Sequence, residues 1–503
     1  DNNRVDVLAG YSWQRFVGEG MQTSAQDFLF DQTTFNDLGS TGSPELADFS
    51  TFKNANKIIS AFTRVNYSLL DRYLVTFTYR TDGSDRFGEE NQWGNFPSFA
   101  LAWRLSEEGF LSGISAMDDL KLRVEYGSIG NSPNSNARGF ISATSNLYND
   151  GTGTYISGVE LNNLPNEDLR WELTTTTNVG LDFSFLNGRI AGSLDYYNRL
   201  TEDLLLSYNV PAPSVFNTVT DNVGTMQNTG FEAAVNLFLI DRGKFTFELA
   251  ANGAYNQNEI ISLSNNIFQI DNFAIQYGEL FGAGFVGDNA YQIEEGVPIH
   301  SIYTLEWAGF DEAGNELFLD SLGNAVVLDS VANNGNPNRY VGTAVPTFTF
   351  SLTPTFRYGN FDLAIYLRGA TGFQVVNNTF LQYADPGQLS AGNNVLTAAL
   401  DVIDEQNIDN SPEFSTRYVE SGNFLRLDNL VLGYTLASSK YDWLGRLRVY
   451  VAARNLALFT NYSGLDPEVF NTAKASSVDV YGLDFLTYPR SRNITVGLNV
   501  TFR

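Results

Sequence analysis

All along this chain, apolar side chains recur at every second position, and no charge interrupts the apolar rows. A period of two, sustained for four or five steps, belongs to a β-strand with one face in an apolar medium. Val5, Val7, Ala9, Tyr11 and Trp13 form the first row, and Tyr73, Val75, Phe77 and Tyr79 another. Ile494, Val496, Leu498, Val500 and Phe502 form the last. About sixteen such segments can be counted, including a weak pair around Gly296 with Tyr291 and Ile293 before it and Tyr303, Leu305 and Trp307 after it. Leu425 and Leu427 are out of phase with Leu430, which predicts a bulge near Asp428. Pro354, on an apolar row, is expected near a strand end because it lacks an N–H.

The lengths of the connections select the architecture. Short ones are expected near 70–72, 106–119, 186–188, 240–244, 295–299, 358–360 and 437–445. Long ones are expected at 15–57, 82–96, 129–171, 201–227, 258–288, 311–346, 370–423 and 456–491. They alternate strictly, so an antiparallel meander carries every long loop at one end. Short periplasmic turns opposite long extracellular loops are the plan of an outer-membrane β-barrel. A soluble sandwich also alternates apolar and polar residues. It does not account for the one-ended loops, nor for aromatic rings at row ends such as Tyr11, Trp13, Tyr67, Tyr79, Trp103, Tyr126 and Phe502.

Composition narrows the function classes. No apolar run reaches 18 residues, so no helix of the chain can span a bilayer, while a barrel can. The absence of Cys removes disulfides, thiolate metal sites and cysteine nucleophiles. A net charge of -27 argues against nucleic acid as a partner. The first residues, DNNRVDVLAG, carry no targeting signal. A single histidine, His300, sits beside Pro298 in what reads as a periplasmic turn, and neither a catalytic triad nor a histidine metal site can be built on it. No enzyme is expected.

Several stretches resemble SusC/RagA-like TonB-dependent transporters, in family order. They include YRTDGSDRFGEENQWGNFPSFALAWRLSEEGFL from Tyr79, LKLRVEYGSIGN at 120–131, NEDLRWELTTTTNVGLDFSFLNGRIAGSLDYYNRLTEDLLL at 166–206, and VGTMQNTGFE at 223–232. FLRLDNLVLGYTL at 424–436, LRVYVAARNLALFTNYSGLDPEV at 447–469 and YPRSRNITVGLNVTF at 488–502 complete the set. The resemblance covers nearly the whole chain. It implies an outer-membrane importer of a Gram-negative bacterium whose 22-stranded barrel is gated by a plug and energised by the TonB complex. A SusD-like surface lipoprotein would close over it, and the cargo would be oligosaccharides or peptides.

Residues 1–503 then read as the last sixteen strands of that barrel, with the plug and first strands outside this chain. A self-contained sixteen-stranded passive porin is the alternative, and a soluble secreted binding module is a third reading.

The polar rows should face the lumen. Arg64, Arg80, Arg104, Lys121, Arg123, Glu125, Arg426, Arg448 and Arg454 are the candidates for plug or solute contact, since arginines on a wide inner wall need anionic partners or water. Among loop aromatics, Trp93, Tyr148, Tyr155, Tyr383 and Tyr418 could stack on sugars or grip peptide side chains. GAGFVG at 282–287 matches a dinucleotide fingerprint but lacks the surrounding βαβ unit. LDSVANNGN at 328–336 could serve as a calcium loop, yet lacks a bidentate Glu at the required spacing. In DGSDRFG at 82–88, Asp82 and Asp85 are expected to pair with Arg86. No cofactor is expected.

Overall fold

A computed structural model describes residues 3–28, 30, 32, 36, 48–133, 141–149, 155–161, 164–209, 218–264, 274–282, 284–285, 287–389, 392–402, 405–407, 411–437, 443–471 and 480–502. Their largest feature is one fourteen-stranded sheet in meander order. Its first half comprises β1 (Asn3–Ser24), β2 (Asp48–Leu69), β3 (Tyr73–Ser84), β4 (Trp93–Arg104), β5 (Met117–Asn131), β6 (Glu172–Phe185) and β7 (Ile190–Glu202). Its second comprises β8 (Thr225–Arg242), β9 (Phe245–Ser262), β10 (Phe348–Tyr358), β11 (Phe361–Thr371), β12 (Phe424–Ala437), β13 (Leu444–Thr460) and β14 (Asn493–Phe502). Neighbours are antiparallel throughout, and the sheet stays open between β1 and β14.

The register aligns the apolar rows into one belt. Phe77 lies opposite Val65 and Phe99, Val124 opposite Leu101 and Val179, Tyr196 opposite Phe231, and Val451 opposite Leu432 and Val496. These side chains are bare: Val7 is 68% exposed and Val496 71%. Burial is inverted relative to a water-soluble fold, as expected of a wall whose apolar face meets lipid. One girdle is visible at the turn side, where Tyr73 stacks on Trp103 at 6.3 Å and both donate to Glu108, at 2.6 and 3.1 Å. Those two donors hold the Glu108 carboxyl below its ordinary range.

The tight turns follow local chemistry. Between β6 and β7, Leu186, Asn187 and Gly188 all have positive φ, and the Gly188 N–H donates to Asp118 at 2.8 Å. Left-handed turn residues match the twist of a hairpin.

Three expectations need correction. Among the described residues the wall has fourteen strands rather than sixteen, because the pair around Gly296 lies outside it. Asn289–Ile293 and Ser301–Thr304 belong to a separate four-stranded sheet with Ile275–Glu279 and Arg339–Thr343. There the alternation reflects packing on a core, and Tyr291 and Ile302 are both 0% exposed. Second, much of 15–57 and 82–96 is strand rather than loop, since β1, β2, β3 and β4 extend past the apolar belt with mixed sequence. Third, Pro354 sits inside β10 opposite Leu249, and the ladder to β11 skips Thr353 and Pro354 where the N–H is missing. The bulge at Asp428 is present, with a register shift between Leu427 and Asn429.

The loops carry the molecule's hydrophobic core. Tyr277, Tyr291, Ile302, Val376, Leu381 and Leu483 converge there from three connections. His300 belongs to this core rather than to a periplasmic turn. It is 5% exposed, its Nδ1 is 2.7 Å from the Tyr277 hydroxyl, and the rings of Tyr277, Tyr291 and Tyr481 meet it edge-on.

Candidate luminal site

Side chains between the outward rows form the inner face, and three charge clusters organise it. The first lies on β5, β6 and β7. Arg123 reaches Asp182 at 3.1 Å, Asp195 at 2.8 Å and Glu125 at 3.1 Å, while Lys121 meets Asp182 at 2.8 Å. Asn178 also donates to Asp195, at 3.1 Å. Antiparallel pairing places these residues on adjacent strands at similar height, so charges distant in sequence become neighbours. Arg123, Glu125, Asn178 and Asp195 border a polar cleft of about 630 Å³ together with Tyr197 and Asn256.

The second cluster pairs Arg448 of β13 with Asp362 of β11, across the intervening β12, with Nε to Oδ1 at 3.1 Å. The third joins the wall to the connection between β13 and β14. Arg426 is 1% exposed and bonds Asn455 at 2.6 Å, Asp466 at 2.7 Å and Glu468 at 2.9 Å. Arg368 grips Glu468 through two nitrogens and Asp428 through Nε at 2.6 Å, and Arg490 reaches Asp466 and Glu468 from the loop side. Six charges balance in one knot whose centre, Arg426 and Asp466, is buried, and an unpaired charge there would be costly.

The candidates therefore separate. Arg123, Glu125, Lys121 and Arg448 lie on the inner face with partners supplied by the wall itself. Arg80 pairs with Asp82 at 2.7 Å and donates to Ser60 at 2.9 Å. Asp82 thus pairs with Arg80 and not Arg86, which instead donates to the Pro133 carbonyl at 2.6 Å. Asp85 accepts the Lys57 N–H at 2.8 Å. Arg426 is closed off from the lumen by its carboxylates. Arg64 donates to Thr78 at 3.2 Å, and Arg454 is exposed. Arg104 lies opposite Lys121, with a buried Nε that has no hydrogen-bond partner among the described residues.

The loop aromatics separate too. Trp93 is placed on the outward row, opposite Gly83, so it faces away from the lumen. Tyr418 is 3% exposed and packs in the core beside Phe380, with no surface left to offer a solute. Tyr383 is half-buried and stacks at 6.4 Å on Phe485, which stacks on Phe281 at 4.8 Å. Tyr148 and Tyr155 lie on the paired strands Ile141–Asn149 and Tyr155–Leu161, and their side chains fall outside the described residues.

The glycine motif at 282–287 is a loop feature. A Cβ on Gly282 would sit 1.8 Å from Gln382 Oε1, so close packing accounts for that glycine. In the 328–336 stretch, Asn334 donates to Asp320 at 2.8 Å. Among the described residues no group of three or more acidic or histidine side chains converges as a cation site.

Sequence reading missed Asp362, Asp466, Glu468 and Arg490. Their partners lie tens of residues away or more, and no local pattern joins them.

Known proteins agree with this architecture. A family model described as TonB dependent receptor-like, beta-barrel, matches residues 1–456. The chain belongs to that family. Curated relatives include the TonB-dependent receptor SusC of Bacteroides thetaiotaomicron, 31% identical over 99% of this chain and 48% of its own length. TonB-dependent receptor P3 of Formosa agariphila is 30% identical over 99% of this chain and 51% of its own length. The chain thus spans about half the length of these relatives. A solved structure of the RagAB peptide transporter superposes with a TM-score of 0.82 at 24% identity, covering 99% of this chain and 53% of that one. This is an outer-membrane barrel wall of the SusC/RagA-like type.

Proposed function

We propose that this chain is the C-terminal barrel portion of a SusC-type, TonB-dependent importer that takes up oligosaccharides or peptides with a SusD-like lipoprotein. The observation that carries the reading is the open wall. Among the described residues fourteen strands align one apolar belt and leave β1 and β14 each paired on one side only, and a barrel needs every edge paired. The missing neighbours, and the plug that would fill so wide a lumen, would come from a preceding part of the transporter, which would also contact the TonB complex. Arg104, Arg64 and Arg454 are the proposed lumen contacts for plug or solute, because none has a carboxylate partner among the described residues. The sixteen-stranded porin is disfavoured by the same open edges.

Intact-mass and peptide mass spectrometry on the detergent-purified particle tests this. Plug-and-strand sequence travelling with the chain, together with a surface lipoprotein and solute uptake abolished when TonB is absent, is expected. The chain folded alone as a closed pore would end the importer reading.

A further inference from the structure

A cavity of about 480 Å³ lies where β9, β10 and β11 meet the connection between β13 and β14. The wall contributes Asn252, Thr349, Ser351 and Tyr366. The far side is built by Pro467, Glu468, Val469, Tyr481 and Gly482, with Phe373 also lining it. The volume is that of a small-molecule site, which usually falls at about 300–1,000 Å³.

Its chemistry is specific in two respects. First, the charged groups on its border are spent on one another. Arg368 is consumed by Asp428 and both oxygens of Glu468, and Glu468 is further bonded by Arg426 and Arg490. A charged ligand entering here would lose hydration and find no counter-ion. Second, the wall side offers hydroxyls and an amide that are not engaged elsewhere. Among the described residues Asn252, Thr349, Ser351 and Tyr366 make no side-chain hydrogen bonds, and Tyr366 adds an aromatic ring. The faces of Phe424, by contrast, are already occupied by the guanidinium groups of Arg368 and Arg426, 5.8 and 5.6 Å from its centroid.

An uncharged ring with an apolar face and equatorial hydroxyls satisfies both features. We propose that this cavity binds one neutral sugar residue of a transported oligosaccharide, stacked on Tyr366 and hydrogen-bonded by Asn252, Thr349 and Ser351. The proposal rests on the importer reading and sharpens it to one position and one charge class. Anionic sugars and peptides are disfavoured for this cavity.

The test uses the complete transporter in detergent, with every polypeptide that copurifies. Titration calorimetry would be run with gluco-, galacto-, manno- and xylo-hexaose, a galacturonic acid hexamer and the peptide Ala-Phe-Pro-Ala. At least one neutral hexaose should bind. Y366A should weaken it by about tenfold or more, and S351W, which fills the cavity, should do the same, while Y366F stays within about threefold. Absence of binding by all four neutral hexaoses overturns the proposal, as does binding that ignores both Y366A and S351W. Because neither substitution touches the outward belt, correct folding is checked separately by heat-modifiability on a gel. If peptide or anionic sugar is taken up in a TonB-dependent manner and Y366A has no effect, the importer stands and this cavity's role falls. If no probe of any class is taken up, the importer reading itself fails.

Discussion

The wall and the loop cluster obey opposite rules with the same alphabet. On the wall, Val7, Val124 and Val496 stand exposed and the polar rows turn inward. In the loop cluster, Tyr291, Ile302 and Leu381 are at 0% exposure, and buried polar groups such as Tyr277 and Asn378 are hydrogen-bonded within it. Each region is stable for a different reason. The wall needs lipid outside it and closes its backbone groups strand to strand, since no water is available in a bilayer. The loop cluster is an ordinary water-soluble core carried on a membrane frame, and its ion pair Arg417–Glu316, at 2.6 Å, is largely withdrawn from solvent. Burial there raises the Glu316 carboxyl pKa despite the guanidinium beside it.

Substitutions that one region tolerates and the other does not would test this contrast. The largest effect should come from the joint between them. R426M leaves Asp466 and Glu468 short of a buried partner, and a loss of about 3–5 kcal/mol is expected in urea unfolding from micelles. A loss below 1 kcal/mol would mean that the knot does not hold the loop to the wall. Within the loop cluster, L381A should cost about 2–5 kcal/mol. The loss should be local: limited proteolysis would nick the loops while the barrel keeps its heat-modifiable gel shift. Simultaneous loss of that shift would show that the two regions are one cooperative unit.

On the wall, V124R places a charge in the lipid belt, and about 2–4 kcal/mol of destabilisation is expected near the bilayer midplane. The inward T176R should change stability little. Equal effects of the two would contradict the assignment of faces.

A pH effect follows from Asp320. Its carboxylate accepts from the Leu322 and Asn324 N–H groups, both at distances under 3 Å, and from the side chains of Asn324 and Asn334. The Asn324 bonds are the largest cause that brings its pKa down to about 2. A depressed carboxyl stabilises the folded loop above the unfolded pKa of about 4, and that contribution fades as pH falls from about 4 to about 2. Amide exchange at Leu322 and Asn324 should therefore accelerate across that window, after correction for intrinsic rates, and D320N should abolish the dependence. The smallest effect is expected from R448Q, which removes a partly exposed, water-screened wall pair worth about 0.2–1 kcal/mol.

Much of the wall was legible because a strand between lipid and lumen must alternate, and because hairpin turns announce themselves, as Leu186-Asn187-Gly188 does. The error around Gly296 has the same origin. Tyr291 and Ile293 alternate with polar neighbours whether the apolar side meets lipid or a protein core, and period alone cannot name the medium. The site was less readable. Arg123 and Arg448 were visible as inward cations, but their neutralisation by Asp182, Asp195 and Asp362 depends on strand register. Tyr418 looked like a loop aromatic until Phe380 and the rest of the core covered it, and Trp93 fell on the outer row only once β3 and β4 were seen to continue above the belt.

What the sequence determined alone was the two-faced strand, the alternation of long and short connections, and so a meander with its loops at one end. Those properties are local, set by neighbours two residues apart or by turn residues. Tertiary structure decided which apolar rows meet lipid and which a core, and which charges cancel. It also assembled the cavity beside Tyr366, whose border charges Arg368 and Glu468 pair with each other. Each of those depends on chain segments brought together from one hundred residues apart or more, as Arg368 and Glu468 are and Tyr291 and Tyr481 are, and no local pattern carries a trace of that contact.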